Sequence, residues 1–394
     1  MNTPITDGPA LARSAADALR RGDPRTARDL FLQAARAGQV DVPVFMGLAF
    51  ACLALEDFPG VAASTDRALL LDPRNLRALI MRGDVHERDG DSRAAASYYM
   101  AALRSAPPAD KLPKDLLAEL RRVQQKHEQF TQRYTQHVVT YLQQHGFDMG
   151  TKADTRFGES VDLLLGRRRL YTQQPAYYYF PQLAQRQFFE PEAFAGLAAV
   201  EAAAADIRAE LEALQQDPAA FEPYMQAPAS RASIDQTGLV NNRDWSACHL
   251  RRHGQAVEAN AGRCPRTLAA LAGVAQPEIP GRAPSVLFAS LAPGKRIPPH
   301  NGLVNTRLIC HLPLVVPGKC RLRVGNEVRE LQAGRAVVFD DTISNEAWND
   351  GDGPLVYLAF DLARPELSAE EQKLVGTLFD AIDAFGGQKQ SWSI

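Results

Sequence analysis

Apolar and small residues return every 34 positions from the N-terminus to Pro107. Ala34, Ala68 and Ala102 share one register, Phe31, Thr65 and Tyr99 a second, and Ala27, Val61 and Ala95 a third; Pro73 returns as Pro107. A fixed period of this size predicts stacked helical units, each with an apolar face that only a neighbour can cover. They start near Gly8, Val42 and Leu76. After Pro107-Pro108, Leu116, Leu117, Leu120, Val123, His127 and Phe130 recur at helical spacing and predict one long polar helix from Leu112 to about Gln144. Residues 146–170, rich in Gly, Asp and Arg, read as a linker. The aromatic run YYYFPQLAQRQFFEPEAF then leads into GLAAVEAAAADIRAELEALQQ, an amphipathic helix. From Ser285 the pattern changes to short alternating runs bounded by Gly and Pro. SVLFASLAPG, NTRLICHLPLVVP, CRLRVGNEVREL, AVVFDD and PLVYLAFDLA predict strands, with Gly325-Asn326 as a two-residue hairpin turn. Many short strands argue for a sandwich or jelly-roll barrel over a parallel sheet.

Composition narrows the class. A length of 394 residues allows two or three domains, and 45% hydrophobic with 23% charged residues is an ordinary globular balance. Forty-four basic residues against 46 acidic ones leave no electrostatic reason to expect nucleic acid or an anionic membrane as partner. No apolar run reaches the ~20 residues that span a bilayer, and the N-terminus lacks the apolar core of a secretory signal. Cys52, Cys248, Cys264, Cys310 and Cys320 are odd in number and form no CxxC pair, against a disulfide framework. A cytoplasmic protein is expected. The 34-residue unit resembles the tetratricopeptide repeat, best from Leu76, where Gly83, Ala95, Tyr99, Ala102 and Pro107 match. That resemblance implies a helical solenoid over 8–107 that binds a protein or peptide, followed by a helical connector over 108–171.

A second resemblance covers about Tyr177 to Leu367. The ordered run PPHNG, TRLICHLPL, CRLRVGNE, FDDT and EAWND, with WSACHLRRHG and YYYFPQL upstream, resembles the aspartyl/asparaginyl β-hydroxylase family. The resemblance implies a double-stranded β-helix (a cupin-like jelly roll) with flanking helices over 172–394. It also implies an Fe(II)- and 2-oxoglutarate-dependent dioxygenase that hydroxylates an amino-acid side chain brought by the repeats. In that family two histidines carry the metal, and glycine stands where related oxygenases place a carboxylate.

By that resemblance His300 is the first metal ligand and Gly302 the glycine. The second ligand position falls on Asn345, whose neutral amide oxygen is a far weaker ligand for Fe(II) than imidazole. The cosubstrate histidine is His311 and its serine partner Ala289, with Ser290 adjacent. The cosubstrate arginine falls on Leu355, which has no donor for a carboxylate. Arg307 stands as an anion or substrate contact, and a further family arginine is Ile309. Three readings follow. Oxygenase chemistry persists in altered form, with Asn345, Asp340, Asp341 or a water completing the site; or the barrel is a non-catalytic ligand-binding or scaffold domain. In the third, a relocated metal uses His249 and His253, four residues apart and so on one helix face, though packing beside arginines is the plainer account. Asp340-Asp341 reads as a strand-end pair that satisfies turn amides. His127, His137 and His145 are not i, i+4 partners and carry no metal reading.

Overall fold

A computed structural model describes residues 7–153, 155–226, 238–279 and 281–386. The chain divides into two compact units, Met1–Leu165 and Gly166–Ile394. The last stretch of the region expected over 172–394, from residue 387, lies outside the described residues.

The first unit is helical: α1 (Gly8–Arg20), α2 (Pro24–Arg36), α3 (Val42–Ala54), α4 (Phe58–Leu71), α5 (Leu76–Arg88), α6 (Ser92–Ser105), α7 (Lys114–Gln144), α8 (Met149–Lys152) and α9 (Arg156–Leu164). Each of α1 to α6 starts at an Asp or Asn (Asp7, Asp23, Asp41, Asp57, Asn75, Asp91) whose side chain accepts from a backbone N–H of the first turn. Each such cap satisfies a donor that the helix itself leaves unpaired. The repeat registers are the packing positions: Ala27, Val61, Ala34, Thr65, Ala68 and Ala102 are fully buried, with Phe31, Ala95 and Tyr99 nearly so. The long helix α7 forms as expected. The stretch read as a linker instead contains α8 and α9, started by Asp148 and Thr155.

The second unit continues with β1 (Phe188–Phe189), α10 (Leu197–Ala202), α11 (Ala204–Gln215), β2 (Glu222–Pro223), β3 (Trp245–Arg252), β4 (Gln255–Ala256), α12 (Glu258–Ala261) and α13 (Pro265–Leu271). Then come β5 (Val286–Leu291), β6 (Arg296–His300), β7 (Arg307–Val315), β8 (Cys320–Val324), β9 (Glu327–Glu330), β10 (Val337–Phe339), β11 (Asn345–Asn349), β12 (Leu355–Ala363) and α14 (Ala369–Gly386). One sheet has the order β1-β10-β7-β12-β5-β3-β2, with β4 on β3, and the other β6-β11-β8-β9. Paired strands are antiparallel throughout. From β5 to β12 the chain passes back and forth between the two sheets.

Strand alternation divides the core. Leu287, Ala289, Leu291, Ile297, Leu322, Phe339, Ala347, Tyr357 and Ala359 fill the space between the sheets. Val286, Phe288, Cys310, Leu312, Leu358 and Phe360 pack on the other face, against Leu197, Val200, Ile207, Leu211 and Leu214 of α10 and α11. The predicted amphipathic helix is therefore two segments meeting at Ala203. At the hairpin, Val324 pairs with Glu327 and Gly325 alone takes a positive φ, 59°. That suits glycine at the first turn position.

WSACHLRR forms β3, not a helix. Trp245, Ala247, Cys248 and Leu250 are buried, so the segment is covered on both faces and loses the alternation that would mark a strand. His249 lies on the strand and His253 in the following turn, at φ 54°. The i, i+4 argument for a metal pair does not apply to them.

Candidate functional site

A cavity of about 140 Å³ lies between the sheets, lined among others by Trp245, His300, Arg307, His311, Asp341 and Asn345. The sheet register explains how distant residues meet. Asn345, first in β11, is the Cα partner of His300, last in β6. His311 pairs with Val337 on one side and Ala359 on the other. Residues 300, 307, 311 and 345 thus line one cavity.

Ser290 does not. It alternates with Ala289, which faces the space between the sheets, so its side chain lies on the opposite face and does not line the cavity. Leu355 is fully buried in the intersheet core.

His300 Nδ1 lies 2.9 Å from the Pro298 carbonyl, which can only accept. Nδ1 therefore carries a hydrogen and donates it there. Asn345 is occupied differently. Its Nδ2 donates to the carbonyls of Asp341 (2.8 Å), His300 (3.2 Å) and Ile343 (3.2 Å). The amide fastens the turn between β10 and β11 to the end of β6. His311 packs 4.2 Å from the Tyr357 ring and 4.9 Å from Phe339, centroid to centroid. Burial, with His300 nearby, pushes its pKa down to about 3, so the imidazole is neutral. Burial likewise takes His249 to about 4, helped by Arg252 and opposed by Glu222.

Arg307 is the charged centre. Its Nη1 lies 3.2 Å from Asp341 Oδ2 and its Nε 3.3 Å from Asp361 Oδ1. Burial works against its charge, but the two carboxylates outweigh burial and hold its proton more tightly. Burial raises Asp341 and Asp361 above the usual carboxylate range; Arg307 opposes this in both. Gly302 is required beside them, since a Cβ there would lie 2.2 Å from Asp341 Oδ2. Asp340 turns the other way. It accepts from the Thr342 amide (3.0 Å), Gln173 Nε2 (2.6 Å) and Arg364, the structural role expected of a strand-end Asp.

Asp361 was not read from the sequence, although one signal existed: a lone acid in the apolar run LVYLAFDLA must be paired if that strand is buried. Tyr224, Arg282 and Tyr357 also line the cavity and carried no motif, and Trp245 lines it from the WSACHLRRHG segment.

Tested against an Fe(II) and 2-oxoglutarate centre, the residues present do not fit. Among the described residues no group of three or more His, Cys, Asp or Glu side chains is placed to hold a metal ion. The same finding leaves His249 and His253 without a third ligand. The Asn345 amide is fixed through its nitrogen by three backbone carbonyls and offers a metal only its neutral oxygen, while Asp341 Oδ2 is on Arg307. For a dicarboxylate, Arg307 already faces two acids and Leu355 has no donor.

Residues 201–365 match the sequence profile of the family described as Aspartyl/Asparaginyl beta-hydroxylase. The chain is 29% identical over 214 residues to Aspartate beta-hydroxylase domain-containing protein 2 of Xenopus tropicalis, covering 52% of this chain and 55% of that protein. It is 31% identical over 189 residues to the Ornithine lipid ester-linked acyl 2-hydroxylase of Rhizobium tropici, covering 47% and 63%. The chain thus spans between half and two thirds of these relatives. The resemblance read from the sequence holds over the C-terminal unit, and relatives of this kind support a hydroxylase-type domain there. Among solved structures, the Arabidopsis OM64 TPR domain is similar at a TM-score of 0.27 and 19% identity, over 30% of this chain and 94% of that one.

Proposed function

We propose that the C-terminal unit is a hydroxylase-type domain that acts as a ligand-binding module, and that the repeat array recruits a protein or peptide partner to it in the cytoplasm. The observation that carries this reading is the commitment of Asn345. At the position facing His300, where a second imidazole would complete a metal pair, the side chain instead donates to three backbone carbonyls. An imidazole in its place would leave those three acceptors without their donor, and the amide oxygen that remains is a neutral, weak ligand for Fe(II). Meanwhile the aromatic wall of Tyr224, Trp245, Phe339 and Tyr357 makes a shielded pocket that orients a ligand and excludes water.

A second reading, retained hydroxylation of an amino-acid side chain, is favoured by the match to hydroxylases and by His300, which lines the cavity. Under it His300 would hold Fe(II), His311 would face 2-oxoglutarate and Arg307 the substrate, and the metal would supply oxygen activation.

Anaerobic Fe(II) titration separates the two. Wild type is expected to bind Fe(II) at least ten-fold more weakly than Asn345→His, a gap of about 1.4 kcal/mol, and to consume no 2-oxoglutarate above background. Affinities that match, with wild-type turnover, would overturn the binding-module reading. Far-UV circular dichroism of the variant checks that it is folded.

A further inference from the structure

We propose that the cavity between the sheets binds a small organic cation, an alkylammonium or guanidinium group, held by Asp341 and the surrounding aromatic rings. This rests on the reading of the domain as a binding module and names its ligand class.

The first argument is charge balance. Arg307 lies between two carboxylates, and all three residues are more than nine-tenths buried. With both carboxylates ionised, the form a bound cation favours, the group carries one negative charge in excess. The other arginines that line the cavity already have acids: Arg252 Nη1 is 2.7 Å from Glu222 Oε1, and Arg282 pairs with Asp383. His249 and His311 are neutral by burial. A dianion entering here meets an excess of its own sign, whereas a monocation neutralises it.

The second argument is the unfilled valence. Asp361 uses both oxygens, one on Arg307 and the other on the Ser285 amide at 2.7 Å. Asp341 uses only Oδ2. Its Oδ1 is buried with no hydrogen-bond partner, on a residue that lines the cavity. A buried carboxylate oxygen calls for a donor, and an N–H of a cation supplies one with charge.

The walls supply the rest. Trp245, stacked on Tyr224 with centroids 3.8 Å apart, lines the cavity with Tyr357 and Phe339. Aromatic rings attract organic cations through their quadrupoles, and Trp most strongly. A volume of about 140 Å³ admits the space of roughly four or five waters, enough for a guanidinium or a short alkylammonium.

The test is calorimetric titration of the full chain with EDTA present, using methylguanidinium, n-butylammonium, N-acetyl-arginine amide and 2-oxoglutarate. The cations are expected to bind at least ten-fold more tightly than 2-oxoglutarate. Asp341→Asn is expected to lose at least ten-fold for the cations, and it leaves Arg307 and Asp361 as a balanced pair, so the fold has no unpaired charge. Trp245→Leu, which removes no charge, is expected to weaken the cations at least three-fold. Binding of N-acetyl-arginine amide as tight as methylguanidinium points to a peptide side chain as the source, and weaker binding to a free amine; both support the cation class. Tighter binding of 2-oxoglutarate, or cation affinity unchanged in Asp341→Asn, would overturn it. Because iron is chelated throughout, tight iron binding in the earlier titration would sink the binding-module reading alone, and a preference for the dianion would sink this inference alone.

Discussion

His311 is held as a neutral imidazole, with a pKa of about 3 against 6.5 for an ordinary histidine. The unfolded chain takes up a proton below pH 6.5 that the fold refuses. This histidine therefore costs stability progressively as pH falls through 6.5 toward 3, by about 1.4 kcal/mol per pH unit, and costs nothing above 6.5. Urea unfolding of wild type and His311→Gln between pH 7.5 and 4.5 checks this, since the variant lacks the group. The stability difference is expected to shift in the variant's favour as the pH is lowered; a constant difference would mean that His311 titrates in solvent. At this scale the motif residues were legible: His300, Asn345 and Leu355 can be read from the order of short motifs. The work of the Asn345 amide was not, because its acceptors are backbone carbonyls of a turn whose shape no side chain announces. Ser290 stays off the cavity for a related reason, since neighbours in a strand point to opposite faces.

Among elements, α5 and α6 show how the repeat depends on small residues. A Cβ on Gly83 would sit 2.5 Å from Tyr99 Cε1, and the ring cannot swing aside while its hydroxyl donates to Asp84 at 2.7 Å or Glu87 at 3.0 Å. Gly83→Ala is expected to destabilise the first unit by about 1–3 kcal/mol through overpacking. Faster hydrogen exchange across α5 and α6 would report it, and exchange unchanged from wild type would show that the ring has room. The 34-residue spacing made these helices legible because the same contact recurs in the same place. By contrast, the four-residue spacing of His249 and His253, which a shared helix face would need, falls on β3 and the turn after it. Eight residues covered on both faces give neither a period of 2 nor one of 3.6, so the pattern alone cannot choose.

Across the second unit, a buried polar network ties distant parts of the chain together. Asp340 and Arg364, both fully buried, form an ion pair. Gln173 donates to Asp340 at 2.6 Å and accepts from Asn305 at 2.9 Å, and Asn305 in turn binds the backbone of Phe180. Arg364→Met leaves the Asp340 charge uncompensated and is expected to cost about 3–5 kcal/mol in urea unfolding. The double variant Asp340→Asn, Arg364→Met should recover a large part of that loss, because no buried charge remains. If the double variant is as unstable as the single one, packing of the Arg364 stem outweighs its charge.

Local periodicity and residue identity were enough to place the repeat helices, most strands of the second unit and the Gly325 turn. These follow from short-range rules, in which burial of one face imposes a spacing that survives in a single sequence. The charge state of the cavity does not follow from such rules. Arg307, Asp341 and Asp361 are far apart in the chain, and each alone reads as an ordinary polar residue. Only the pairing of β7 with β10 and β12 puts two acids around one base, and low-dielectric burial makes that imbalance matter.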